Sequence, residues 1–142
     1  MPVNPQLAGR SFPPTPPYEV SAAKIAEFSA AIGAANDADA GDRDAPPTFP
    51  IVVAFGAMTD LMSDPEVGIN LQNVVHADQR FEIGRPVRAG DVLTATLTVD
   101  SVRRMAGTDI IATRSEITTA DGEHVCTAYA TLAHRSPEEA TA

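Results

Sequence analysis

The chain has 142 residues, a hydrophobic share of 44% and a formal net charge of −9, enough for one sizeable core and too little for two. The charge argues against a nucleic-acid or anionic-membrane surface, because binding phosphates needs a concentrated positive field. Cys126 is the only cysteine, and the start Met1-Pro2-Val3-Asn4-Pro5 has neither a basic nor an apolar leader region, so a cytoplasmic protein without intrachain disulfides is expected.

Residues 1–17 are rich in proline and end in Phe12-Pro13-Pro14-Thr15-Pro16-Pro17. That composition excludes helix and central strand and predicts an extended segment lying over the surface. Tyr18-Glu19-Val20 reads as a short strand. Ser21 then caps a helix through Ile32, with Ile25, Phe28 and Ile32 on one face, Val20 and Ile25 placed as a hydrophobic staple, and Gly33 as terminator. The polar stretch 34–44 carries four aspartates. A calcium loop counted from Asp37 would need glycine where Asp42 stands and a bidentate acid where Thr48 stands, so a solvated acidic loop is the better reading.

From Ile51 to Met58 no residue is polar, and the apolar positions run all round the helical wheel. That pattern predicts a helix over 51–62 with protein on every side, too short to cross a bilayer, with Thr48 as its N-cap. After the breaker Ser63 to Gly68 the period changes to two. Phe81 and Ile83 alternate in one run, Leu93, Ala95, Leu97 and Val99 in the next, Ile111, Thr113, Ser115 and Ile117 in a third, and Val125, Thr127, Tyr129, Thr131 and Ala133 in the last. These four strands are joined at 86–90, at 104–108 around Gly107, and at Asp121-Gly122, a strong hairpin signal. The fold class is therefore α+β, a long antiparallel sheet wrapped around one central apolar helix.

That arrangement is the hot-dog fold, and several stretches carry a family likeness in order along the chain. Phe12-Pro13-Pro14 with Tyr18-Glu19-Val20, Ala45-Pro46-Pro47-Thr48-Phe49, Val75 to Phe81, Arg85-Pro86-Val87-Arg88-Ala89-Gly90-Asp91 and Ala106 to Ile111 together resemble the MaoC-like dehydratase N-terminal family over residues 7–135. Within it, the chain is most similar to the non-catalytic subunit of the actinobacterial (3R)-hydroxyacyl-ACP dehydratase. The resemblance implies one hot-dog domain over 1–142. It also implies acyl-ACP or acyl-CoA as the ligand, and dimer formation with a catalytic MaoC-type subunit or with a second copy of the chain.

In catalytic members of that family, an aspartate and a histidine in a Gly-Asp-x-Asn-Pro-x-His setting act on the β-hydroxyacyl thioester. Backbone N–H groups at the start of the central helix stabilise the enolate-like oxygen. Laid on Gly33 to Asp39, that motif puts Ala34 at the aspartate and Asp39 at the histidine position, so the dyad is absent and no catalytic residue is assigned. Catalytic members carry His-Gly near the helix start where this chain has Pro47-Thr48, and the prolines at 46, 47 and 50 remove three N–H donors. The resemblance implies Thr48, Phe49, Ile51 and Phe55 as acyl-binding residues; from residue type alone the core reading is favoured for each.

His76 with Asp78 as orienter is a weak candidate base, and a hydrogen-bonding role at the strand entry is preferred. His124 and His134 are expected to be exposed, and Cys126 to pack as a small hydrophobe. No histidine and acid have metal-ligand spacing, and neither metal nor cofactor is expected. Arg80, Arg85 and Arg88 lie within nine residues holding one acid, Glu82, with Arg103-Arg104 further on. An acidic carrier protein would dock on such a patch, although solvated strand ends are the larger expectation. Three functions follow. The chain is a non-catalytic subunit whose partner supplies the dyad, an autonomous hydratase or thioesterase homodimer using residues such as His76 or Asp39, or a non-enzymatic acyl-CoA-binding module.

Overall fold

The computed structural model describes residues 3–34 and 44–136. Its five strands form one antiparallel sheet: β1 (Tyr18–Glu19), β2 (Val74–Ile83), β3 (Val92–Met105), β4 (Thr108–Thr119) and β5 (His124–Arg135), in the order β1-β3-β4-β5-β2. Two helices accompany it, α1 (Ala22–Ala31) and α2 (Ile51–Ser63). This is the hot-dog arrangement that the sequence predicts. The acidic loop, with Asp37 and Asp39, falls outside the described residues.

Local chemistry accounts for α1. The Ser21 side chain accepts the Lys24 N–H at 3.0 Å, Val20 and Ile25 are both buried against the core, and Gly33 takes a positive φ of 68° just past the end. Ile32 departs from its expected place on the buried face. The helix stops at Ala31, and Ile32 turns outward as the C-cap.

Helix α2 differs in two respects from the sequence reading. Its N-cap is Pro50, with no side-chain cap bond, so Thr48 does not cap it. Nor is it enclosed on all sides: Val53, Ala54, Ala57, Met58 and Leu61 are buried, but Ile51 and Val52 are half-buried and Phe55 is 51% exposed. The sheet covers one face of the helix, and no described element covers the other. On the exposed side, Thr59 and Ser63 donate back to the carbonyls of Phe55 and Thr59.

Strands β3 and β4 alternate as predicted, with Leu93, Ala95, Leu97 and Val99 facing Thr119, Ile117, Ser115 and Thr113 across the ladder. The phase of β5 is the reverse of the sequence reading. Cys126, Ala128, Ala130, Leu132 and His134 pair with Ile117, Ser115, Thr113, Ile111 and Asp109 and so share the core face, while Thr127, Tyr129 and Thr131 lie on the opposite one, where Thr127 is buried and bonds Glu116 and His124. A register shift between Ile117 and Thr118 brings Val125 into the core as well, which is why alternation counted from Val125 misleads.

The N-terminal segment is also not draped over the surface. It makes a short 3-10 turn at Pro5–Leu7, capped by Asn4. It then follows the free edge of β3, through Gly9 N–H to Val99 O, Phe12 N–H to Leu97 O and Thr15 N–H to Ala95 O. Val3, Leu7 and Phe12 are buried, so the prolines punctuate an edge strap rather than a solvated tail. The strap and β1 together cover β3. Among the described residues, nothing pairs with the outer edge of β2.

Candidate functional site at the start of the central helix

The segment Ala45 to Pro50 brings the chain into α2 as a run of tight turns. Phe49 N–H donates to Pro46 O at 2.9 Å, Ile51 N–H to Thr48 O at 3.1 Å, Val52 N–H to Phe49 O at 2.9 Å and Val53 N–H to Pro50 O at 3.1 Å. A helix start usually offers three or four free N–H groups to an anion. Here the prolines lack them, and those of Phe49, Ile51, Val52 and Val53 are already bonded.

A cavity of about 310 Å³ opens beside this start, walled by Pro46, Pro47, Pro50, Ile83, Pro86 and Val87 with Asp44 and Arg85 as its charged members. A second, of about 350 Å³, lies on the flank of α2 between Val52, Gly56, Thr59 and Asp60 and the strap residues Thr15 and Tyr18. The four residues singled out from the family likeness are distributed unevenly. Phe49 is fully buried, its ring edge-on to Phe28 at 5.3 Å; Ile51 is half-buried, and Thr48 and Phe55 are exposed. Sequence reasoning missed Val52, Gly56 and Ile83 as cavity walls. Gly56 was the available signal, because a residue without a side chain in an apolar helix marks where something approaches its flank.

Around the cavity the arginines are engaged. Arg85 grips both carboxylate oxygens of Asp91 at 2.9 and 3.1 Å and reaches Glu123 at 3.3 Å. Asp91 also accepts the Arg88 N–H at 2.8 Å, which closes the loop between β2 and β3. Burial pushes the Asp91 carboxyl up, but the Arg85 and Arg88 hydrogen bonds outweigh it and hold the group below the ordinary carboxylate value. Arg88 pairs with Asp44 at 2.7 Å, and Arg80 lies 4.0 Å over the Tyr129 ring. Arg85 and Arg88 are thus neutralised within the chain, and Arg80 stacks on an aromatic ring.

The histidines sort differently from the sequence reading. His76 and Asp78 flank a bulge in β2, pairing with Leu132 and Thr131 on opposite faces of the sheet, so they form no dyad; His76 Nε2 instead meets Gln79 Oε1 at 2.8 Å. His124 is exposed and bonds Thr127 at 2.8 Å. His134, expected at the surface, is 2% exposed. Its Nε2 accepts the Asn70 N–H at 2.8 Å and its Nδ1 meets Ser136 Oγ at 3.1 Å. Cys126 is buried, and its thiol is pushed up to about 11, by burial first and then by Glu116. Among the described residues, no three His, Cys, Asp or Glu side chains gather as metal ligands, and no helix is long and apolar enough to cross a membrane.

Fold and site define a hot-dog protein of the MaoC-like dehydratase type, with an apolar cavity at the start of the central helix, where Thr48 N–H is the one backbone donor without a bond among residues 46–53. The family model for the FAS1-like dehydratase region matches residues 6–128, and the chain belongs to that family. UPF0336 protein SCO4636 of Streptomyces coelicolor is 46% identical to it, over 99% of this chain and 100% of that one. The crystal structure of the C-terminally truncated HadBC (3R-hydroxyacyl-ACP dehydratase) complex from Mycobacterium tuberculosis contains a chain 32% identical, at a TM-score of 0.76, covering 89% of this chain and 96% of that one. A solved MaoC-like dehydratase matches at a TM-score of 0.78 and 26% identity, over 93% of this chain and 43% of that one.

Proposed function

We propose that the chain is a non-catalytic hot-dog subunit of a (3R)-hydroxyacyl-thioester dehydratase or enoyl hydratase. It pairs along β2 with a catalytic MaoC-type subunit that supplies the Asp/His dyad, and it helps to hold the acyl chain. The observation that carries this reading is the start of α2. Three prolines and a run of short carbonyl bonds leave Thr48 N–H as its one uncommitted backbone donor, where an enolate-like oxygen needs several preorganised ones, and losing one such donor typically costs 10² to 10³ in rate.

The pairing is supported by which edge lies open. The strap occupies the edge of β3, whereas β2 presents ten residues without a neighbour among the described ones, with Val75 and Ile83 exposed. A long open edge with apolar side chains is an aggregation hazard unless a partner covers it. The same partner would cover Phe55 and the half-buried Ile51 on the open face of α2. We assign these two, with Thr48 and Phe49, to contact with the acyl chain on the strength of the family likeness and their apolar character; none of the four lines either cavity of the chain by itself. The similar HadBC chain comes from a complex of subunits, which favours the same reading.

The test is co-expression with each MaoC-type subunit encoded in the same genome, followed by sizing. One of them should co-elute with this chain as a stable pair. An Ile83→Pro variant, which removes a donor of the open edge while the neighbouring Gly84 N–H keeps its bond to Val125 O in β5, should abolish co-elution. A chain that elutes as a monomer beside every candidate would overturn the pairing.

A further inference from the structure

The bulge in β2 has a chemical result. Val74, Val75 and His76 pair with His134, Ala133 and Leu132, and the ladder then resumes with Asp78 opposite Thr131 and Gln79 opposite Ala130. Ala77 is left over. Three residues apart, His76 and Gln79 would sit on opposite faces of a regular strand; the extra residue puts them on the same one. That face is the inner one, shared with Val74, Phe81 and Ile83, and His76 and Gln79 are the only polar members of its row. They bond each other at 2.8 Å.

The hydrogen-bond arithmetic leaves a specific pattern. With Gln79 Oε1 as acceptor, His76 Nε2 carries the proton and Nδ1 remains an open acceptor. One Gln79 amide N–H bends toward the Arg80 carbonyl at 3.4 Å, and the other remains as a donor. An acceptor beside a donor complements a secondary amide, which offers one N–H and one C=O. The pair lies away from the cavity at the start of α2, because Ile83, which walls that cavity, is four residues along the strand from Gln79 and seven from His76, roughly 13 and 20 Å. Antiparallel pairing of two equivalent edges reverses the relation: the start of this β2 comes alongside the end of the partner's β2, and so beside the partner's cavity.

We propose that His76 and Gln79 act in trans, binding an amide of the thioester arm of the substrate held in the paired subunit's pocket. The inference rests on the proposed pairing along β2. It assigns this chain a share in recognising pantetheine-type thioesters, in addition to the acyl contacts.

The experiment uses the co-purified pair and two enoyl thioesters, crotonyl-CoA and S-ethyl thiocrotonate, which has no amide. His76→Ala and Gln79→Ala should each lower kcat/KM for crotonyl-CoA about tenfold, the equivalent of one hydrogen bond, mainly through KM. They should leave S-ethyl thiocrotonate hydration, co-elution and melting temperature unchanged. Equal effects on both substrates, or no effect on either, would overturn the inference and leave the subunit reading standing. A wild-type pair that neither co-elutes nor hydrates crotonyl-CoA would overturn the subunit reading, and this inference with it.

Discussion

Asp109 and His134 stand opposite one another across β4 and β5, with Ser136 Oγ between them, 3.0 Å from the carboxylate and 3.1 Å from His134 Nδ1. The carboxylate also accepts the Val3 N–H at 3.0 Å and an Arg104 N–H at 3.0 Å. His134 Nε2 holds the Asn70 backbone at the approach to β2. One buried acid thus ties together the N-terminal strap, the β3–β4 hairpin and the last residues of β5. Every buried side-chain nitrogen and oxygen among the described residues has a partner, which keeps such a network from being a liability.

Asp109→Ala should therefore destabilise the fold by roughly 3 kcal/mol, since it unpairs three donors at once. Thermal melting and urea titration would measure the loss. A change below 0.5 kcal/mol would mean that the network is ornamental.

Acid stability follows from the same group and from Asp91. For Asp109, burial raises the carboxyl, but the Val3, Ser136 and Arg104 hydrogen bonds outweigh it and the net shift is downward; Asp91 is likewise lowered. A group whose folded pKa lies below its unfolded value contributes stability that is complete above the unfolded value, near 3.8. That stability is lost as the pH falls through the folded value. Urea midpoints should accordingly be insensitive to these two groups from pH 7 to pH 5 and decline below about pH 4. Asp91→Asn should flatten that decline.

Phe49 and Phe55 are the same residue type six positions apart in opposite environments. Phe49→Ala should cost about 3 to 5 kcal/mol, because a fully buried ring packed on Phe28 leaves a cavity. Phe55→Ser, at a site 51% exposed, should move the melting point of the isolated chain by little, within about 0.5 kcal/mol. It should weaken co-elution with the catalytic partner, where sizing across a dilution series would show the difference.

Cys126 should resist modification. With the side chain fully buried and the thiol pushed up to about 11, the reactive thiolate is scarce at pH 8. An aromatic disulfide reagent should label it only on the timescale of unfolding, and rapid labelling of the native chain would contradict the placement of β5.

The features legible in the sequence were those with a local cause. The Ser21 cap with its Val20–Ile25 staple, the positive-φ glycines at Gly107 and Gly122 and the alternation of β3 and β4 each follow from chemistry within a few residues. The features that were not legible depend on partners far along the chain. Nothing in Val75 to Gln79 advertises a bulge, since Ala77 looks like any strand residue, yet the bulge decides that His76 meets Gln79 and not Asp78. The phase of β5 depends on a register shift near Thr118, and the burial of His134 on Asp109 and on Asn70, 64 residues away. The exposure of Phe55 follows from the covering of only one face of α2, which an all-apolar helix cannot reveal.

The most direct test of the central claim is the rate of crotonyl-CoA hydration by the purified chain alone, set beside the rate of its co-purified pair with a MaoC-type subunit. The chain alone should be indistinguishable from buffer, and the pair should be active. Hydration by the chain alone, abolished by His76→Ala, would contradict the account and establish an autonomous enzyme with a different site.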